Sequence, residues 1–307
     1  MIKRRRVLSI IAGAGLSVGA LSLFGVSALG KPQTWQGVAW QGVALGANAQ
    51  IILDHENANE LIKLALNEIA RLEKIFSLYD KNSEISQLNK NGFLKNPSAD
   101  FLQLLSICSQ INQRTNGAFD PTIQPLWALY AKSYASGNAP SKTEITNIQN
   151  IVGWENIKYL ANEVSFKKHG GAITLNGIAQ GYIADKIGEL FRKNGVSNVL
   201  INTGEISALG KSLQNENWQV KIKNTDKKVE LNNMAIATSA TLGTVFDKNG
   251  KVGHIIDPIS GVPNSKQKQI SVISHSAAIA DGLSTGFLLM KKKDITMAKG
   301  DEEIIFV

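Results

Sequence analysis

Apolar residues recur along this chain with two periods, and the helical period dominates its first half. In Ala58–Phe76, Leu61, Ala65, Ile69, Leu72 and Phe76 fall on one stripe at helical spacing. A second amphipathic helix is predicted over Ser98–Thr115, with Ser98 as its cap and Gly117 just past its end. Ser141-Lys142-Thr143-Glu144 has the form of a capping box opening a helix to about Ile151. A further helix carries Ile178, Tyr182, Ile183, Ile187, Leu190 and Phe191 and closes at Gly195, and a last one spans about Ala277–Met290.

Strand patterns are short and gather late. They cover Val43–Leu53, Ile157–Leu160, Val164–Phe166, a run ending at Leu175, Val199–Ile201 and Trp218–Ile222. Met234–Ala237, Ile270–Ser274 and Ile304–Val307 follow, with two runs flanking the hairpin signal Asn249-Gly250. Residues 77–89, SLYDKNSEISQLN, read as a polar loop. Helices early and strands late predict an α+β fold rather than a regular βαβ array.

The N-terminus departs from this pattern. Lys3, Arg4, Arg5 and Arg6 precede a Gly/Ala-rich apolar run from Val7 to about Ala28, ending in the small-residue site Val26-Ser27-Ala28. That order predicts a secretory signal over residues 1–28, of the twin-arginine type, with a linker over 29–42 and one domain over 43–307. An uncleaved membrane anchor is the alternative. Loss of the signal lowers the net charge from +8 by its four basic residues, which leaves too little excess to argue for nucleic acid. The single cysteine, Cys108, lies on an apolar helix stripe and reads as core, so no internal disulfide is available.

Candidate chemistry is sparse. Asp281 and Thr285 stand four apart near the start of the last helix and share a face, so both oxygens can address one point. Oxygen-only ligation of this kind suits Mg²⁺ completed by water and substrate phosphates, or else is a solvated cap. Asp120, between Phe119 and Pro121, either binds a ligand N–H or caps its own turn. His254 ends an apolar run, and Tyr79 and Trp127 offer ring faces. The Asn176-Gly177 turn before a helix permits close backbone approach beside free N–H groups. His/Cys metal spacing, a G-x-S-x-G elbow and a Walker loop are all missing.

Taken in order, the motifs become specific. The chain carries LGA (45–47), SLYDKNSEISQLN (77–89), TNGAFDPTIQPLW (115–127), LNGIAQGYIAD (175–185), NTGEISALG (202–210), AIATSATLGTVF (235–246), HIIDPISGVP (254–263) and ADGLSTGF (280–287). This series resembles the ApbE family of FAD:protein FMN transferases from about residue 43 to the C-terminus, and N-T-G-E looks like its exported branch serving respiratory flavoproteins. The resemblance implies a two-lobed fold with a flavin cleft between the lobes and Mg²⁺ at the pyrophosphate. It implies an enzyme that splits FAD, its substrate, and attaches FMN to a Thr or Ser hydroxyl of an acceptor protein, releasing AMP in the periplasm. Carried over by position, Gly177 (through its carbonyl), Asp281, Ser284 and Thr285 are cation ligands. Leu45, Tyr79, Ala118, Phe119, Asp120, Gln180 and Ile255 are FAD contacts. His254 positions the incoming hydroxyl or accepts its proton, and Asp281 is essential to turnover. An FAD-delivery protein without transfer, and an FAD pyrophosphatase, are the alternatives.

Overall fold

The computed structural model describes residues 38–307; the expected signal and the first part of the expected linker lie outside them. The first strand, β1, spans Val38–Ala44 and pairs antiparallel with β2, Ala47–Leu53. Residues 38–42, expected as linker, are therefore strand, and the expected single strand Val43–Leu53 is a hairpin. Its two-residue turn is Leu45-Gly46, both at positive φ (47° and 78°), the conformation whose twist matches the flanking strands. Leucine seldom takes that conformation; here its N–H donates to Glu73 Oε1 at 2.7 Å.

Helix α1, Ala58–Phe76, keeps the predicted stripe buried. Residues 77–89 are not all loop: Ser83 accepts from the Ser86 N–H and starts α2, Glu84–Asn91. Strand β3, Phe93–Lys95, leads to α3, Ala99–Arg114, capped by Ser98 as predicted. Helix α4, Gln124–Ala135, follows a 3₁₀ turn at Pro121–Ile123, and α5, Lys142–Gln149, opens with the predicted capping box. Strands β4 (Ile157–Leu160) and β5 (Glu163–Phe166) join β3 in a small sheet. The run ending at Leu175 joins no ladder; the Asn89 side chain instead donates to the Ile173 carbonyl and accepts from its N–H.

Helix α6, Ala179–Lys193, is followed by Gly195 at φ 80°, the predicted stop. Then come β6 (Val199–Asn202), β7 (Ile206–Leu209), β8 (Trp218–Lys221), β9 (Lys228–Leu231), β10 (Met234–Ala240) and β11 (Gln269–Ser274). The chain ends with α7 (Ala277–Leu288), α8 (Lys292–Ala298) and β12 (Glu303–Phe306). The runs flanking Asn249-Gly250 meet in a single antiparallel bridge, Val245 with Gly253, rather than in full strands, and Asp247 accepts the N–H groups of Asn249, Lys251 and Val252 within the loop.

The main sheet has seven strands in the order β1-β2-β6-β7-β10-β11-β12, each neighbouring pair antiparallel. Strand alternation divides its faces. Ile51, Leu53, Val199, Ile201, Ala237 and Val272 join α1, α3, α6 and α7 in the main core. Ile52, Leu200, Ala208, Ile236 and Ile273 are covered by Trp218, Val220 and Leu231 of the β8–β9 hairpin. A third cluster, Leu126, Tyr130, Ala131, Ile145, Phe246 and Ile256, binds α4 and α5 to the loop after β10. The α+β class is as predicted. The helices reach the site because α6 and α7 lie side by side on the sheet.

Candidate active site

The contact between α6 and α7 is close enough to exclude any side chain at Gly181. A Cβ there would stand 2.2 Å from the Ala277 carbonyl oxygen. One turn on, Asp185 caps α7, accepting from Ser276 Oγ (2.7 Å) and from the N–H groups of Ala277 (2.8 Å) and Ala278 (3.0 Å). The two helices are thus locked together near their starts; Asp281, Ser284 and Thr285 follow along α7, and Gly177 just precedes α6.

Asp281 is 4% exposed. Its Oδ2 accepts one long bond, 3.3 Å, from the Gly181 N–H. Among the described residues neither Lys nor Arg pairs with it, and its other oxygen accepts no hydrogen bond. Burial drives its carboxyl up to about 7. Glu205, in the turn between β6 and β7, lies close enough for the two acids to oppose each other's ionisation. Burial first, and Asp281 second, raise the Glu205 carboxyl well above its usual range, with the Thr238 N–H, 3.1 Å from Oε2, opposing them.

Thr285 and Gly177 lie side by side. A Cβ on Gly177 would be 2.9 Å from Thr285 Oγ1, so only glycine admits that hydroxyl. Ser284 differs. Its hydroxyl is fully buried, donates to the Asp281 carbonyl at 3.0 Å and lies 2.7 Å from Ser239 Oγ. Ser239 also lies 3.3 Å from Thr285 Oγ1. No group of three or more His, Cys, Asp or Glu side chains that could hold a metal occurs among the described residues. The oxygen groups at hand are the Asp281 carboxylate and the Thr285 hydroxyl, beside the Gly177 backbone. That set fits a hard divalent cation: a buried carboxylate short of hydrogen bonds and of positive charge is what such an ion would satisfy.

Gln180 sits beside this group. Its side-chain amide lies against Gly204, where a Cβ would be 2.6 Å from Oε1, and its carbonyl accepts from Thr203 Oγ1 at 2.9 Å. The 118–120 loop packs on α7 one residue beyond Thr285. A Cβ on Gly286 would stand 3.0 Å from Phe119 Cβ, and Phe119 itself is buried in the main core. Its backbone is pinned by Thr115 Oγ1 and Asn112 Nδ2, and the Ala118 N–H donates to the Thr115 carbonyl. Asp120 takes the turn-capping alternative. Oδ1 accepts from the N–H and hydroxyl of Thr122, and Oδ2 from the Trp154 N–H. Burial outweighs these donors and raises its carboxyl to about 6. Tyr79, half exposed, faces the β1–β2 turn. A Cβ on Gly46, next to Leu45, would lie 3.9 Å from its ring.

His254 is set on a separate loop. Its Nδ1 is 3.0 Å from the Thr244 carbonyl, and since a carbonyl only accepts, Nδ1 carries the proton and Nε2 keeps a lone pair. Burial lowers its pKa below the ordinary imidazole value, the Thr244 carbonyl opposing. Neutral His254 is therefore the form present at pH 7. Ile255 is half-buried between it and core residue Ile256. Sequence reading missed Ser239 and Glu205. Their only signals are a hydroxyl pair breaking the apolar run Ala235-Ile236-Ala237 and one acid between apolar strands.

Fold and site together define an α+β protein in which two locked helices bring buried Asp281, Thr285 and Gly177 to one region. The model of the ApbE family matches residues 45–306, and the chain belongs to that family. A Haemophilus influenzae protein named FAD:protein FMN transferase is 29% identical over 282 residues, covering 85% of this chain and 80% of its own. One from Buchnera aphidicola is 30% identical over 237 residues, covering 71% and 69%. The flavin transferase ApbE from Vibrio cholerae shares the fold with a TM-score of 0.77 at 22% identity, over 88% of this chain and 93% of that one.

Proposed function

We propose that the protein is a Mg²⁺-dependent FAD:protein FMN transferase. It cleaves the FAD pyrophosphate and joins FMN through a phosphoester to a Thr or Ser hydroxyl of an exported or membrane-bound redox protein, with AMP leaving. The observation that carries the reading is Asp281: a buried carboxylate without a cationic partner among the described residues, one helical turn from Thr285, whose hydroxyl abuts Gly177. The names of the curated relatives support the activity.

Asp281, Thr285 and the Gly177 carbonyl would hold the cation, with Ser284 serving behind them. The bound ion would neutralise phosphate charge as it develops. The protein's own part is positional. The Leu45-Gly46 turn with Tyr79 on one side, and Gln180 with the 118–120 backbone on the other, would seat the flavin nucleotide. His254, neutral and with Nε2 free to accept, would take the acceptor hydroxyl's proton while the hydroxyl is held in line. The basic, apolar N-terminal segment supports export to the periplasm.

The test is incubation of the purified protein with FAD, Mg²⁺ and a candidate acceptor domain. Acceptor carrying FMN, seen by in-gel fluorescence and mass, is the expected result. AMP and FMN released without labelled acceptor would point to hydrolysis, and FAD bound but unchanged to a delivery protein.

A further inference from the structure

Ser239, next to last in β10, has its hydroxyl against two neighbours on α7, and the directions of those contacts follow from their chemistry. The Asp281 carbonyl can only accept, so the Ser284 proton lies along their 3.0 Å contact. Ser284 Oγ must then accept across the 2.7 Å contact with Ser239, which uses the single proton Ser239 has. Ser239 Oγ is left to accept across the 3.3 Å contact with Thr285 Oγ1. Only this direction makes all three contacts hydrogen bonds. The proton of Thr285 is thereby committed to Ser239, and its oxygen has only lone pairs to offer anything else.

We propose that Ser239 is a positioning residue that makes Thr285 an acceptor-only ligand, by drawing its proton into a one-way chain of hydroxyls ending on the Asp281 carbonyl. The proposal rests on the cation reading above and explains why Ser284, buried and occupied, stands between two ligands without being one. A hydroxyl free to rotate would present its proton to the cation part of the time. One held by a neighbour does not.

The placement of Ser239 is itself secured. Strand β7 pairs with β10 only at Met234–Ile236. Beyond that point the Glu205 side chain takes the place of the missing ladder, accepting the Thr238 N–H at 3.1 Å. Thr238 Oγ1 meets Ser271 Oγ of β11 at 2.8 Å, and the turn after Ser239 closes with the Gly243 N–H on the Ala240 carbonyl at 3.1 Å. Ser239 is thus held by the β6–β7 turn on one side and by β11 on the other.

The test measures Mn²⁺ binding by the full chain, through the electron paramagnetic resonance signal of free Mn²⁺, for Ser239→Ala, Thr285→Val and the double variant. Ser239→Ala should weaken Mn²⁺ binding about tenfold, the usual scale for losing a group that orients a ligand. Thr285→Val should weaken it at least as much, and the double variant no more than Thr285→Val alone, because Ser239 acts through Thr285. Ser239→Thr, which keeps the hydroxyl, should stay within about threefold of the parent. Unchanged binding in Ser239→Ala beside weakened binding in Thr285→Val overturns the role of Ser239 and leaves the cation reading standing. Losses that add in the double variant also overturn it. Unchanged binding in Thr285→Val sinks the cation reading and this inference with it. If Ser239→Ala does not fold, Ser239→Thr decides: near-parental affinity supports the chain of hydroxyls, and a tenfold loss overturns it.

Discussion

Gly177 and Thr285 lie so close that a methyl group on the glycine would come within 2.9 Å of the threonine hydroxyl. The backbone of Gly177 is not in the left-handed region, so the restriction is one of space alone. Gly177→Ala should therefore fold normally and push Thr285 out of place. We expect cation affinity and flavin transfer to fall about tenfold with a thermal midpoint within a few degrees of the parent. Titration with Mn²⁺ beside a melting curve checks this. A large drop in the midpoint would show that the glycine serves the fold.

Asp281 makes the metal-free protein sensitive to pH. Its carboxyl is held near 7 in the folded chain and near 3.8 when unfolded, so the folded state keeps a proton that the unfolded state releases. Stability is then highest below about pH 4, declines as pH rises to about 7 and levels off. Asp120, held near 6, and Asp185 and Glu205, also raised, act in the same direction. Asp100 and Glu302, held below their ordinary values of 3.8 and 4.5, act only at lower pH. Melting of the metal-free chain should show a midpoint falling by roughly 5 °C between pH 5 and pH 8. The fall should shrink in Asp281→Asn and in excess Mg²⁺.

Asp281→Ala should abolish turnover while the fold persists. Circular dichroism and FAD turnover on one preparation decide the matter, and retained turnover would remove Asp281 from the cation site.

His254→Ala should slow transfer by about 10²-fold or more, the usual contribution of a positioned base, with little change in FAD affinity. Because burial lowers its proton affinity, the parent rate should rise with pH through a midpoint below 6.5 and then stay flat. Equal losses in rate and affinity would show that the ring binds substrate.

Gly181→Ala should damage the fold. The new methyl would strike the Ala277 carbonyl, a backbone atom that cannot swing aside. A loss of about 1–3 kcal/mol is expected from overpacking, read by urea unfolding. A neutral result would mean that α6 and α7 can slide apart.

Legibility followed the range of the interactions. Helix α1 was readable because its buried stripe lies within one segment, and the Asp281–Thr285 pair because four residues set a shared face. Ser239 was not, since its partners Ser284 and Thr285 are 45 and 46 residues away and only the sheet brings them together. Helix α2 was hidden because it buries only Ile85 and Leu88 among polar residues. The β1–β2 turn was missed because Leu45 lacks the usual turn chemistry and is held by Glu73, a residue of α1. Asn249-Gly250 marked a real reversal, but its flanks pair only in one bridge, Val245 with Gly253, because the Asp247 carboxylate takes the N–H groups of Lys251 and Val252.

The lock between α6 and α7 has a thermodynamic consequence. Asp185 and Gly181 bring Gly177, Asp281 and Thr285 into register while the chain folds, so the disorder these groups lose is lost before any nucleotide arrives. Little conformational entropy then remains to be surrendered on binding.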